Sequence, residues 1–219
     1  MKHTTRIALI SATTAAIRPA VEGLAAALPD AEVWNLLDDR LLVDAQSAGA
    51  VTPALEARMR RLIDHAITEG ADGVLLTCSI YGQVADTADG PVPVLAPDTA
   101  AFEDVLAGGF SRIVVVASIS AALTDSLDRL RAVADAAGVA PELIGIEADN
   151  AFAPAQHGDD NALAAALVDA LHSRLDGVDA VLLAQYSLAP ARDRLEAELG
   201  IPVFAGPQAA AARLKSRIG

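Results

Sequence analysis

The chain has 219 residues, of which 53% are hydrophobic, so it is no disordered segment and has length for one large domain or two small lobes. It carries 16 Lys+Arg against 29 Asp+Glu, a net charge of −13 with no basic stretch, which excludes recognition of nucleic acid and docking to an anionic membrane surface. Aromatic residues are only 3% of the chain, so its core must be built from Ala, Val, Leu and Ile. A single cysteine, Cys78, allows neither an intrachain disulfide nor a multi-cysteine metal site, and a reducing cytoplasm is the expected setting.

Residues 6–17, RIALISATTAAI, open on a short apolar run that reads as a strand buried on both faces. Lys2 and Arg6 ahead of this Ala-rich stretch give it a faint look of a signal peptide, but the segment recurs inside the chain, where no leader can stand. Asp38 and Asp39 in NLLDDRLL read as a surface turn, or as a loop over a cleft. Residues 53–69 have helical spacing, with Pro53 in the first turn and Leu55, Met59, Leu62, Ile63 and Ala66 on one face. A second buried strand follows in GADGVLLTCS, residues 70–79, and a third short run in PVLA, residues 93–96.

The plan then repeats. RIVVVASISAAL at 112–123 matches 6–17 at an offset of 106, GVDAVLLAQY at 177–186 matches 70–79 at 107, and PVFA at 202–205 matches 93–96 at 109. Helices are predicted over 121–137, 160–175, 190–199 and about 207–218, and Gly70, Gly138, Gly177 and Gly200 suit the positions just past helix ends. Composition bias could produce one such match but explains three in order poorly. The expectation is an α/β protein of two pseudo-symmetric, doubly wound lobes with parallel sheets, residues 1–98 and 99–219, with the final helix free to pack back on the first.

In open α/β sheets, ligands bind beyond the carboxyl ends of the strands. This chain places Ser11, Thr13 and Thr14 after its first strand, and Ser118 and Ser120 after the repeat partner. Thr77, Cys78, Ser79 and Tyr81 follow the second matched strand, Gln185, Tyr186 and Ser187 follow its partner, and Asp98 follows the third. Two facing lobes would bring both sets into one interlobe active site. Cys78 is the strongest nucleophile or acid/base candidate, since a helix starting just after it would lower its thiol pKa; the alternative is an ordinary buried thiol. Gln185 stands at the repeat position of Cys78, where an amide can only hydrogen-bond. The hydroxyls can cap helices or hold a carboxylate. His3, His65 and His172 read as solvent-facing, and His157 as part of a helix start. No phosphate-loop, dinucleotide or metal motif is present.

The segments NLLDDRLL, GADGVLLTCS, PVPVLAPD, RIVVVAS and DAVLLAQYS, in this order, resemble the aspartate/glutamate/hydantoin racemase superfamily, which also includes arylmalonate decarboxylase and maleate cis-trans isomerase. The resemblance implies two α/β lobes with the active site between them, no cofactor, a small carboxylate substrate and a homo-oligomer. Its racemases carry one cysteine per lobe on opposite faces of the substrate's α-carbon. The first matches Cys78; the second falls on Gln185, as in a branch with an LAQ-type second motif. Thr13, Thr14, Ser79 and Ser187 match carboxylate-holding positions. Three functions are expected in order: a racemase-like isomerase using Cys78 alone, with Thr77, Ser118, Ser120, Gln185 and Tyr186 in the binding set and Tyr81 and Asp98 as further candidates; a decarboxylase or lyase on a dicarboxylic or oxo acid; and a non-catalytic carboxylate-binding protein.

Overall fold

The computed structural model describes residues 4–218, so the reading of His3 lies outside the described residues. In chain order the first half runs β1 (Arg6–Ser11), α1 (Ile17–Ala27), β2 (Glu32–Leu37), α2 (Arg40–Ala48), α3 (Pro53–Thr68), β3 (Gly73–Leu76), α4 (Gly82–Asp86) and β4 (Val94–Leu95). The second runs α5 (Thr99–Ala107), β5 (Arg112–Ala117), α6 (Ser120–Ala137), β6 (Glu142–Glu147), α7 (Phe152–His157), α8 (Asp160–Leu171), β7 (Ala180–Leu183), α9 (Arg192–Leu199), β8 (Val203–Ala205) and α10 (Gly206–Ile218).

The strands form two four-stranded parallel sheets of the same topology, β2-β1-β3-β4 and β6-β5-β7-β8. The protein is therefore α/β, as the repeated apolar runs require. GVLL of β3 and AVLL of β7 are buried throughout because each lies inside its sheet with helices covering it. The edge strands β2 and β6 remain partly exposed. The chain divides into two units, one ending at Pro97 and resuming at Pro207, the other spanning Asp98–Gly206.

Local chemistry sets the helix ends. Thr52 accepts a hydrogen bond from the Leu55 N–H and Pro53 opens α3, whose buried face is Leu55, Met59, Ile63 and Ala66, with Leu62 half-buried. Three sequence readings shift. The helix predicted over 190–199 starts only at Arg192, because Tyr186–Ala191 form a 3-10 segment containing Pro190, which lacks the N–H that an α-helical ladder needs. The helix predicted to reach residue 175 stops at Leu171, and the chain turns so that Asp179 can meet the start of β5. His157 closes α7, ended by Gly158 at φ +69°, while Asp159 caps α8 by accepting from the Ala162 N–H.

Each sheet has the same brace at the amino end of its first strand. The Arg6 N–H donates to Asp72 Oδ2 at 2.8 Å, and the Arg6 Nη1 donates to the Glu69 carbonyl at 2.7 Å. The Arg112 N–H donates to Asp179 Oδ2 at 3.0 Å, and its Nη1 to the Asp176 carbonyl at 2.8 Å. Between these partners lie Gly70 at φ +86° and Gly177 at φ +68°; a Cβ there would stand 3.1 Å and 3.2 Å from the respective guanidinium nitrogens. The braces are a duplicated device, recoverable from the Arg and Asp shared by the two repeats.

In the first unit, α10 packs closely on α1 at Gly23, where a Cβ would meet the Pro207 carbonyl oxygen at 2.7 Å. Backbone cannot yield as a side-chain tip can. Gly23→Ala is therefore expected to lower stability by about 1–3 kcal/mol, the usual range for overpacking. Val21→Ala, on the exposed side of the same helix, should stay within about 0.5 kcal/mol. Urea unfolding midpoints of the two variants check this.

Candidate active site

Strand register decides which side chains meet. In the first unit Ile10 pairs with Leu76, so Ser11 lies level with Thr77 and Ala12 with Cys78. Accordingly the Thr77 hydroxyl donates to Ser11 Oγ at 3.0 Å, both residues being buried. Cys78 follows in extended conformation and immediately precedes a 3-10 turn, Ser79–Tyr81, that leads into α4. Cys78 is buried, with 8% of its surface exposed, and Ser79 beside it is also buried. The opening N–H groups of such a turn have no acceptor within it and face outward from the strand end. Thr13 Oγ1 accepts from the Ala15 N–H at 3.4 Å, a capping role, while Thr14 begins the next turn.

Tyr81 is committed elsewhere. Its buried hydroxyl donates to the Leu41 carbonyl of α2 at 2.9 Å. Burial first, then the neighbouring Cys78, raise its pKa far above that of an ordinary phenol. The segment read as a surface turn is also pinned: Arg58 of α3 grips Asp38 at 2.6 Å and 2.7 Å and reaches Asp44 at 3.1 Å. Arg40 donates to Asp44 as well, holding that carboxyl below its usual range. Asp38 therefore anchors the start of α2, which Tyr81 meets at the Leu41 carbonyl, and Asp39 is the residue just ahead of that helix. Arg58 was not foreseen, because an arginine on a helix gives no sequence sign of its partner across 20 residues.

In the second unit Val116 pairs with Leu183, which sets Ser118 level with Gln185. Gln185 Oε1 accepts from both the Ser118 N–H at 2.6 Å and the Ser118 hydroxyl at 3.0 Å. The positions equivalent to Ser11 and Thr77 are Ala117 and Ala184, so the hydroxyl pair of the first unit has no copy here. Ser187 is buried and Ser120 is exposed on the first turn of α6. Tyr186 is buried, its hydroxyl meets no hydrogen-bond partner among the described residues, and burial followed by the charge of Asp98 raises its pKa well above the ordinary value. Asp98 itself is buried and paired with Arg129 of α6 at 2.5 Å; Arg129 also donates to Thr99 Oγ1 at 3.0 Å and lies 5.5 Å over the Phe102 ring. That carboxylate thus holds α5 to α6.

Among the described residues no cluster of three His, Cys, Asp or Glu could hold a metal ion. His65 and His172 are exposed. No helix among the described residues is long and apolar enough to cross a membrane. An open groove of about 650 Å³ lies near the amino end of β1, lined by Thr4, Thr5, Leu28, Asp30 and Lys215, away from the strand ends that carry Cys78.

Residues 12–214 match the Asp/Glu/Hydantoin racemase family, and the chain belongs to it. The fold is similar to that of the aspartate racemase of Picrophilus torridus, with 14% identity, a TM-score of 0.75, and coverage of 98% of this chain and 94% of that one. It is also similar to the allantoin racemase of Klebsiella pneumoniae, with 19% identity, a TM-score of 0.62 and coverage of 97% and 87%. A variant of arylmalonate decarboxylase, in a form associated with sulfate ion, matches at 23% identity and a TM-score of 0.61, covering 96% and 93%. No curated protein matches the chain.

The two tyrosines are the only ones in the chain. Both phenols are raised, so each remains protonated in the folded protein where an unfolded phenol ionises, near pH 10. Their contribution to stability is full below that pH and falls as pH rises beyond it, because only the unfolded state then releases the protons. Absorbance at 295 nm should therefore stay flat through pH 10 and rise together with loss of the far-UV circular dichroism signal. Tyrosinate absorbance in advance of unfolding would contradict the burial of these hydroxyls.

Proposed function

We propose that this protein is a cofactor-independent enzyme of the racemase type, acting on a small carboxylic acid with Cys78 as its acid/base. The observation that carries this is the setting of Cys78. It is the chain's one cysteine, it stands at the carboxyl end of an interior strand, and it is flanked by the buried Ser11–Thr77 hydroxyl pair and by Ser79 at the start of a helical turn. Strand-end N–H groups and hydroxyls suit a carboxylate and the enediolate formed when a proton leaves the carbon beside it. The thiol supplies or takes that proton at one face. Thr13, Thr14, Ser79 and Ser187 are assigned to carboxylate binding, and Gln185 to a second polar contact.

A lyase reading is favoured by one specific feature. The residue at the repeat position of Cys78 is Gln185, an amide with no titratable proton, already accepting two hydrogen bonds. Decarboxylation needs one proton delivered to one face, whereas racemisation normally needs an acid/base on each. Tyr186 also stands at that strand end, but its raised pKa keeps the phenol protonated and makes it a weak acid.

The test is chiral chromatography on a panel of aspartate, glutamate and small mono- and dicarboxylic acids in D₂O with the full chain. One-sided chemistry gives deuterium incorporated with a single configuration, and weak or absent racemisation of aspartate and glutamate. Cys78→Ala should lower turnover by at least about a hundredfold, iodoacetamide should inactivate, and the substrate should protect. Gln185→Ala should raise KM more than it lowers kcat. Full turnover in Cys78→Ala would remove the catalytic assignment, and fast interconversion of both enantiomers would remove the one-sided reading.

A further inference from the structure

The strand ends β5 and β7 carry a serine–glutamine contact where β1 and β3 place Ala12 and Cys78. The register Val116–Leu183, carried forward two residues, sets Ser118 opposite Gln185, and both Ser118 donors converge on one atom, Oε1. This fixes which end of the carboxamide faces inward. If the amide were turned over, its NH₂ would face a backbone N–H at 2.6 Å, donor against donor, and the hydroxyl would have to rotate away. The contact also supplies an acceptor ahead of α6, where the residue before the helix is Ile119, which has no side-chain oxygen to cap with.

The outer end of the amide is then determined. Nε2 lies on the opposite side of the group from Oε1, carries two N–H donors and meets no protein acceptor among the described residues. Gln185 is half-buried, so these donors are within reach of a ligand. At the equivalent place in the first unit, Ala12 stands opposite Cys78, and alanine has no side-chain hydroxyl. A thiol or a hydroxyl can donate or accept by rotating. An amide held through its oxygen only donates, and does so at every pH at which the protein is folded.

We propose that Ser118 is a positioning residue which locks Gln185 as a donor-only contact, so that this strand end takes a carboxylate or carbonyl oxygen of the ligand and rejects an ammonium group. The inference rests on the proposed reading of the protein as a carboxylate-acting enzyme and narrows it. The substrate group held by the second unit is an acceptor, which points to a dicarboxylic or oxo acid rather than an α-amino acid presenting its ammonium there. The choice follows from hydrogen-bond polarity: two N–H groups facing an ammonium leave both sides without an acceptor, whereas a carboxylate oxygen satisfies them.

The test is ¹H–¹⁵N NMR of the full chain. The Gln185 side-chain NH₂ pair is assigned by its loss in Gln185→Ala, and the Ser118 backbone amide by its shift in the same variant. Malonate and propane-1,3-diammonium serve as probes of equal length and opposite hydrogen-bond polarity, in about 0.15 M salt so that the acidic protein does not gather the dication unspecifically. Malonate should shift the Gln185 NH₂ pair and the diammonium should leave it in place. Ser118→Ala should weaken malonate about three- to tenfold, the effect of losing one of the two restraining bonds, while Ser118→Thr, which keeps the hydroxyl, should restore the affinity. The Ser118 amide shift should survive in Gln185→Glu, which keeps the acceptor. An NH₂ pair that malonate does not move, equal shifts from both probes, or unchanged affinity in Ser118→Ala overturns the proposal. Full turnover in Cys78→Ala would instead remove the catalytic reading and leave the result at Gln185 standing, so the two can fail separately.

Discussion

The braces at Arg6 and Arg112 are the contacts on which the rest of each unit depends. A parallel pair of strands has no hairpin to set its register, and each pair here is joined through a long crossover. In both units the first strand begins with an arginine whose backbone N–H is held by an aspartate and whose guanidinium closes on a carbonyl just before the next interior strand. Those two contacts tie the start of β1 to the start of β3, and of β5 to β7. A slip of one residue would turn every side chain to the other face of the sheet. With the amino ends fixed, the carboxyl ends follow: Ser11 must meet Thr77, and Ser118 must meet Gln185.

From that shared frame the two units diverge where chemistry is possible. The first spends its hydroxyl pair one residue before Cys78, behind the thiol and inside the sheet. The second replaces that pair with Ala117 and Ala184 and makes its cross-strand contact one residue further on, at Ser118 and Gln185. The tethering thus moves from one residue before the Cys78/Gln185 position to that position itself. The first position holds a thiol, Cys78, while Gln185 is an amide held through its oxygen. Duplication supplies two strand ends of one register, and single substitutions give them different polar contacts.

Charged groups around these strand ends work mainly as positioning devices. Asp98 looked available because it follows a strand, but it is paired with Arg129, which is itself held by Thr99 and the Phe102 ring, and the pair binds α5 to α6. Asp38 looked like part of a solvated turn, but Arg58 grips it through two nitrogens and so fixes α2 beside Tyr81. Breaking the Asp98–Arg129 pair leaves a charge that is largely removed from water, which costs several times more than losing an exposed surface pair.

The sequence by itself determined the α/β class, the duplication, the strands and most helix positions, because continuous apolar runs, helical spacing and repeated segments are local patterns visible in one dimension. It also singled out Cys78 and set Gln185 at its repeat position, since both are matters of residue identity. Helix ends at Leu171 and Arg192 were displaced by a turn and by Pro190, which act over only a few residues. Only the tertiary structure decided which polar groups meet. Whether Asp98 is open or occupied, whether Tyr81 donates to the Leu41 carbonyl, and which end of the Gln185 amide faces inward depend on atoms brought together across 31, 40 and 67 residues. Such hydrogen bonds have no periodicity and no motif, so they become readable only once the register of the parallel strands has placed their partners opposite one another.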